Sequence, residues 1–174
     1  MSFWAQWRMP AEYELLIGFY DLTGYQRYAE KTDAVELLGL MAGYFVLTGT
    51  ILREAGGYLV KTMGDAGLAV FPAERTDAGV LAFREIRRQG NAWLTERGYP
   101  AHVYIKLHVG RVAVGRVGDI VDVYGKVVNT AAVLASKGLA MTPDVFRRLT
   151  PETRQLFKKH TPPISYIASE DFRP

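Results

Sequence analysis

The sequence predicts an α+β domain in which helices pack on one face of a mainly antiparallel sheet. Two observations carry that expectation. Strand-like and helix-like runs follow one another in the order β-α-β-β-α-β-β-α-α-β, the order of an α+β sandwich. A chain of 174 residues with 49% apolar content is long enough for one well-packed domain and short for two, and no internal repeat, low-complexity stretch or linker divides it.

The run Tyr13 to Asp21 is apolar and ends in an acid, which suits a buried strand. Asp33 followed by Glu36 reads as a capping box that opens a helix from Ala34 to Ala55, with Val35, Leu38, Ala42, Phe45 and Leu52 near helical spacing and Gly56-Gly57 as the stop. Tyr58–Met63 and Ala66–Phe71 read as strands joined by a tight turn at Gly64-Asp65. Asp77 starts a second long helix through Val80, Phe83, Ile86 and Trp93 to about Glu96, closed by Gly98 and Pro100. Val103, Ile105, Leu107 and Val109 alternate with His102, Tyr104, Lys106 and His108, the period of a half-buried strand. Val112 to Val117 and, after a short turn, Val121 to Tyr124 continue in extended form. Gly125 opens a helix to about Ala135, Pro143 to Leu149 is a further helix, and Ile164 to Ala168 is a last strand.

Composition narrows the function. With no cysteine, disulfides and thiolate metal sites are excluded, so a metal must sit on carboxylates or histidines. No run approaches the ~20 consecutive apolar residues of a membrane span, and the stretch Met1 to Arg8 lacks the features of a secretory signal. The expectation is a soluble, cytoplasmic protein without a membrane partner. The net charge of +3 is modest. Its short basic clusters, at residues 84–88 and 157–160, do not form the concentrated stripe of a nucleic-acid binder, and no aromatic RNA-binding strand motif is present.

Two acids point to chemistry because each ends a strand beside a glycine: Asp21 in Phe19-Tyr-Asp-Leu-Thr-Gly-Tyr25, and Asp65 in Lys61-Thr-Met-Gly-Asp65. If the strand ends converge, the two carboxylates suit Mg²⁺ or Mn²⁺, hard cations that share their coordination with phosphates. Read singly, Asp21 is equally a helix cap and Asp65 a turn residue.

Taken together, these spans resemble class III adenylate and guanylate cyclase catalytic domains. Phe19-x-Asp21-Leu22-x-Gly24-Tyr25 is similar to the first metal-binding motif and Val60-Lys61-Thr62-Met63-Gly64-Asp65 to the second. Leu107-His108-Val109-Gly110, Val114-Gly115-Arg116-Val117-Gly118 and the span Asp122 to Ala132 follow in the family's order, and the ending Thr161 to Tyr166 is like that of some bacterial members. The likeness covers about residues 13–168 of a single catalytic domain, 1–174.

The resemblance implies a ferredoxin-like sandwich that works as a head-to-tail dimer, a homodimer or a heterodimer with another cyclase domain, with ATP across the interface. It implies that Asp21, Asp65 and the Leu22 carbonyl hold two Mg²⁺ or Mn²⁺ ions per site. Backbone N–H groups of Thr23, Gly24 and Tyr25 would meet phosphate oxygens. Lys61 and Asp122 match the pair that reads adenine, and Asn129 the residue that orients the ribose and a catalytic arginine. Lys158 and Lys159 both match a late lysine that faces the triphosphate.

One departure concerns catalysis. Four residues beyond Asn129 the family places an arginine, and this chain has Val133. An arginine at such a position in phosphoryl transfer contributes roughly 10³–10⁵ in rate. Lys126, at i−7 on the same helix face, is a possible substitute charge, although a lysine is a point charge and not a planar fork. The expected activity is adenylate cyclase of reduced turnover; the alternative is an inactive cyclase-homology domain that binds nucleotide or regulates a partner. His108, also at a family position, is expected to be structural.

Overall fold

The computed structural model describes residues 5, 7–99, 101–161 and 163–171. Pro100, Pro162 and most of the N-terminal stretch read for a signal lie outside the described residues. Eight strands form one sheet: β1 (Ala11–Leu22), β2 (Tyr58–Met63), β3 (Ala66–Pro72), β4 (Val103–Val117), β5 (Ile120–Tyr124), β6 (Leu139–Met141), β7 (Phe157–His160) and β8 (Ser165–Ala168). Their order is β2-β3-β1-β4-β6-β8-β7, with β5 paired to the far part of β4. Every pairing is antiparallel except β4 with β6. Among the described residues the α-helices are α1 (Tyr25–Ala29), α2 (Ala34–Glu54), α3 (Thr76–Glu96), α4 (Lys126–Val133), α5 (Pro143–Phe146) and α6 (Pro151–Arg154).

The helices occupy both faces, not one. Alternation along β1 sends Leu16 and Tyr20 to one side and Leu15 and Ile17 to the other. The first side packs on α2 and α3, through Tyr44, Leu52, Phe83 and Ile86. The second packs on α4, through Val127, Val128 and Ala131, and on Trp7 and Met9. A strand buried on both faces reads as an apolar run, which is what Leu15-Leu16-Ile17 shows in the sequence.

Several elements differ from expectation in extent. β4 is one strand of 15 residues where two runs were expected, and α4 stops at Val133 because Leu134 is extended. The helix from Pro143 ends at Phe146, and β6, β7, α1 and α6 are additional. Asp33 does cap α2: its Oδ1 accepts from the N–H of Val35 and Glu36. The buried face of α2 is Met41, Tyr44, Thr48 and Leu52, while Val35 and Leu38 are 77% and 69% exposed. By length and composition α2 could cross a membrane; here its buried residues join the core under the sheet.

Gly18 shows how tightly α3 sits on the sheet. A Cβ there would lie 2.0 Å from the ring of Phe83, which is fully buried and has nowhere to retreat. Gly18→Ala is expected to cost about 1–3 kcal/mol by overpacking, lowering the thermal midpoint by roughly 2–12 °C for a domain of this size. An unchanged midpoint in a thermal melt would contradict this packing.

Candidate active site

Strand register brings the two sequence-predicted acids together. Tyr20 pairs with Gly67, so the end of β1 runs beside the turn that precedes β3. Gly64, at φ +63°, supplies the left-handed conformation of that turn. As a result the Leu22 N–H donates to Asp65 Oδ2 at 3.2 Å. Burial pushes the Asp21 carboxyl above its ordinary range, the Lys106 ammonium pulls it back, and the negative Asp65 adds to the rise. Two partly buried carboxylates at one strand end are a donor set of the type that takes up a hard cation.

The fit to a hard divalent ion is therefore good in donor type and sparse in number. Among the described residues no group of three or more His, Cys, Asp or Glu could hold a metal. The remaining ligands would have to be the Leu22 carbonyl, water and phosphate oxygens, as is usual for Mg²⁺ with a nucleotide. Leu22 and Asp65 line an open groove of about 600 Å³ with Gly24, Tyr25, Gln26, Arg27 and Glu30.

The phosphate-loop expectation is narrowed by its hydrogen bonds. The Thr23 N–H donates to the His102 carbonyl at 3.0 Å, and the His102 N–H donates to Thr23 Oγ1 at 2.9 Å. Thr23 thus ties β1 to β4 and its N–H is committed, a correction to its assignment as a phosphate donor. Gly24, at φ +70°, and Tyr25 follow on the groove wall.

Lys61 and Asp122 meet although 61 residues separate them. Lys61 Nζ lies 2.6 Å from Asp122 Oδ2, with side chains 31% and 3% exposed. A bulge between Leu59 and Lys61 makes this possible. It gives β2 one extra residue, so that Val60 enters the apolar cluster under α4 while Lys61 pairs with Leu68 of that same cluster. Asp122 Oδ1 also accepts from the Val123 N–H, and the Tyr124 ring centroid lies 5.9 Å from Lys61 Nζ.

On α4, Asn129 and Lys126 are exposed, and Val133 is 81% exposed at the last position of the helix. Lys126 begins the helix, so about 10 Å of axial rise separates it from Val133. Lys158 and Lys159 are exposed on β7. His108 Nδ1 lies 2.8 Å from Thr142 Oγ1, and burial lowers its pKa against the opposing effect of Asp144, in keeping with a structural role.

The pairing also exposes a residue that the sequence did not single out. Lys61, Leu68, Phe19, Lys106, Ala140, Ile167 and Lys158 are successive cross-strand partners, one row across seven of the eight strands. Directly paired residues share a face, so Lys61, Lys106 and Lys158 all stand on the α4 side. Lys159 pairs with Tyr166, which packs in the other core, and so faces away. Only the polar side of an alternating strand hinted at Lys106.

Comparison with known proteins bears on the family and the fold. Residues 9–162 match the adenylate and guanylate cyclase catalytic domain family. An adenylate cyclase of Anabaena cylindrica is 29% identical over 131 residues, covering 71% of this chain and 26% of the relative. One of Streptomyces coelicolor is 34% identical over 123 residues, covering 70% of this chain and 29% of the relative. The chain thus spans less than a third of either curated relative. A bacterial light-regulated adenylyl cyclase has the same fold, with a TM-score of 0.81 at 24% identity over 95% of this chain and 54% of that one. With five motifs in family order, the fold shared and most of its length matched, this chain belongs to the class III adenylate and guanylate cyclase catalytic domain family.

Proposed function

We propose that the chain converts ATP into 3′,5′-cyclic AMP and pyrophosphate, by attack of the ribose 3′-OH on the α-phosphate, as one half of a head-to-tail dimer. The observation that carries this reading is the pair of converging carboxylates at the end of β1, together with a donor–acceptor pair, Lys61 and Asp122, on the same chain. Asp21, Asp65 and the Leu22 carbonyl would hold Mg²⁺ or Mn²⁺, two per site. Such ions, when bound, lower the pKa of the 3′-OH and neutralise the triphosphate. Gly24 and Tyr25 offer N–H groups to phosphate oxygens, and Asn129 orients the ribose from the exposed face of α4.

Lys61 and Asp122 select the base. Lys61 donates toward adenine N1 and Asp122 accepts from the N6 amine; guanine presents the reversed pattern, N1–H and O6, and leaves both groups mismatched. Of the two late lysines, Lys158 is the one whose strand position faces α4, which supports it over Lys159 as the triphosphate contact. Exposed Met63, Val117, Ile120, Tyr124 and Val133 support a partner chain, a second copy or another cyclase domain, against these hairpins and α4.

The test is cyclic nucleotide formation by the purified chain with Mn²⁺ and either ATP or GTP. Cyclic AMP in excess of cyclic GMP is the expected result, and cyclic GMP as the main product would overturn the base assignment. Val133 favours a second reading, a domain that binds metal–nucleotide without turning it over. Binding of a non-hydrolysable ATP analogue with no product from ATP would select it.

A further inference from the structure

Position 133 removes a positive charge from the end of α4, and the structure holds another cation at that end. Lys106 Nζ donates to the Ala132 carbonyl at 3.1 Å, one residue before Val133. That carbonyl belongs to the last turn of α4, where backbone acceptors are unpaired and the helix dipole favours a cation. Lys106 arrives from β4, not from the helix, so no motif on α4 could reveal it.

Its position relative to the base-reading pair is also suitable. Lys61 and Lys106 stand in one cross-strand row on one face, three strand spacings or about 14 Å apart. Lys158 lies a further three strands along the same row. One face of a single protomer therefore carries three lysines in one row, with Lys106 between Lys61 and Lys158. An ammonium has three donors; the Ala132 carbonyl uses one, and the same charge also acts on the Asp21 carboxylate.

Resting on the cyclase reading above, we infer that Lys106 supplies from β4 the positive charge that α4 lacks at Val133, steadying the α-phosphate as charge develops there. A lysine acts as a point charge and gives only part of the effect of a bidentate arginine. Catalysis slower than an arginine would allow, and not absent, is what this arrangement predicts. Lys126, at the opposite end of α4, has no such contact with the helix terminus.

The test compares the parent chain with Lys106→Met, Lys106→Arg, and Lys106→Met combined with Val133→Arg. Cyclic AMP formation, calorimetric binding of Mn²⁺ with a non-hydrolysable ATP analogue, and thermal melts are measured on each. Lys106→Met is expected to lower turnover by about 30-fold or more while nucleotide affinity changes by less than about threefold, since the charge acts mainly in the transition state. Lys106→Arg should keep most of the turnover. Adding Val133→Arg to Lys106→Met should restore at least about tenfold of the loss, which a lysine that merely capped α4 would not allow. Unchanged turnover in Lys106→Met, or a loss that neither arginine rescues, overturns the inference. A parent chain that binds metal–nucleotide and forms no product overturns it alone, whereas a parent that binds none overturns the cyclase reading with it.

Discussion

Asp65→Ala and Asp21→Ala are each expected to abolish cyclic nucleotide formation, by about 10³-fold or more. The two carboxylates are the anionic side chains that converge on the β1 end, and loss of one leaves the other without enough ligand charge to offset the dehydration of a divalent ion. Stabilisation by a metal of several kcal/mol in the transition state corresponds to at least that factor in rate. Asp65 also accepts the Leu22 N–H, so truncation removes a structural bond as well as a ligand. Asp65→Asn separates the two effects: the amide oxygen can still accept that N–H, while the charge is gone. Product assays with Mn²⁺, alongside thermal melts and calorimetric metal titration, check the expectation. If Asp65→Asn melts like the parent and still makes cyclic nucleotide at a comparable rate, the two-carboxylate assignment is wrong.

Lys61→Met is expected to lower both stability and the preference for ATP. It leaves Asp122, almost wholly buried, with its negative charge unpaired and only the Val123 N–H for compensation. Breaking a buried pair from one side costs about 3–5 kcal/mol. Lys61 is about a third exposed, so water can partly replace it and about 2–3 kcal/mol is the appropriate scale here. Replacing both partners, Lys61→Met with Asp122→Leu, should recover much of that stability, because no orphaned charge remains. It should not recover base selection. Urea unfolding of the parent and the two variants, with competition between ATP and GTP analogues, separates the two roles. A single variant as stable and as selective as the parent would contradict the assignment of the pair.

Sequence patterns pointed to the candidate site more directly than to the packing around it. Asp21 and Asp65 were visible because each is an acid at a strand end beside a glycine, and strand ends and turns are local features. That they meet depends on the pairing of Tyr20 with Gly67, which local pattern does not encode. The face of α2 was misjudged for a chemical reason. Periodicity counted Val35 and Leu38 as core, yet the helix is turned inward by Tyr44 and by Thr48, whose hydroxyl meets that of Tyr20 at 3.0 Å in the interior. Burial of Met41, Tyr44 and Leu52 on the inward face outweighs that of Val35 and Leu38, and Thr48 is accommodated among them because Tyr20 partners its hydroxyl. β6, three residues long, is a strand only by virtue of its neighbours β4 and β8. Lys106 belongs to the same class: it is one polar residue in an alternating run until the sheet aligns it with Lys61.

The two ends of the strand order have a bearing on how this domain associates. β2 and β7 are the outermost strands among the described residues, and each offers a row of backbone groups on which another chain could template itself. β2 carries the bulge at Val60, whose extra twist spoils a flat edge, and β7 is four residues long with Lys158 and Lys159 exposed on it. Both are devices that discourage open-ended polymerisation of sheets. Growth by strand addition is thereby obstructed at both ends of this order.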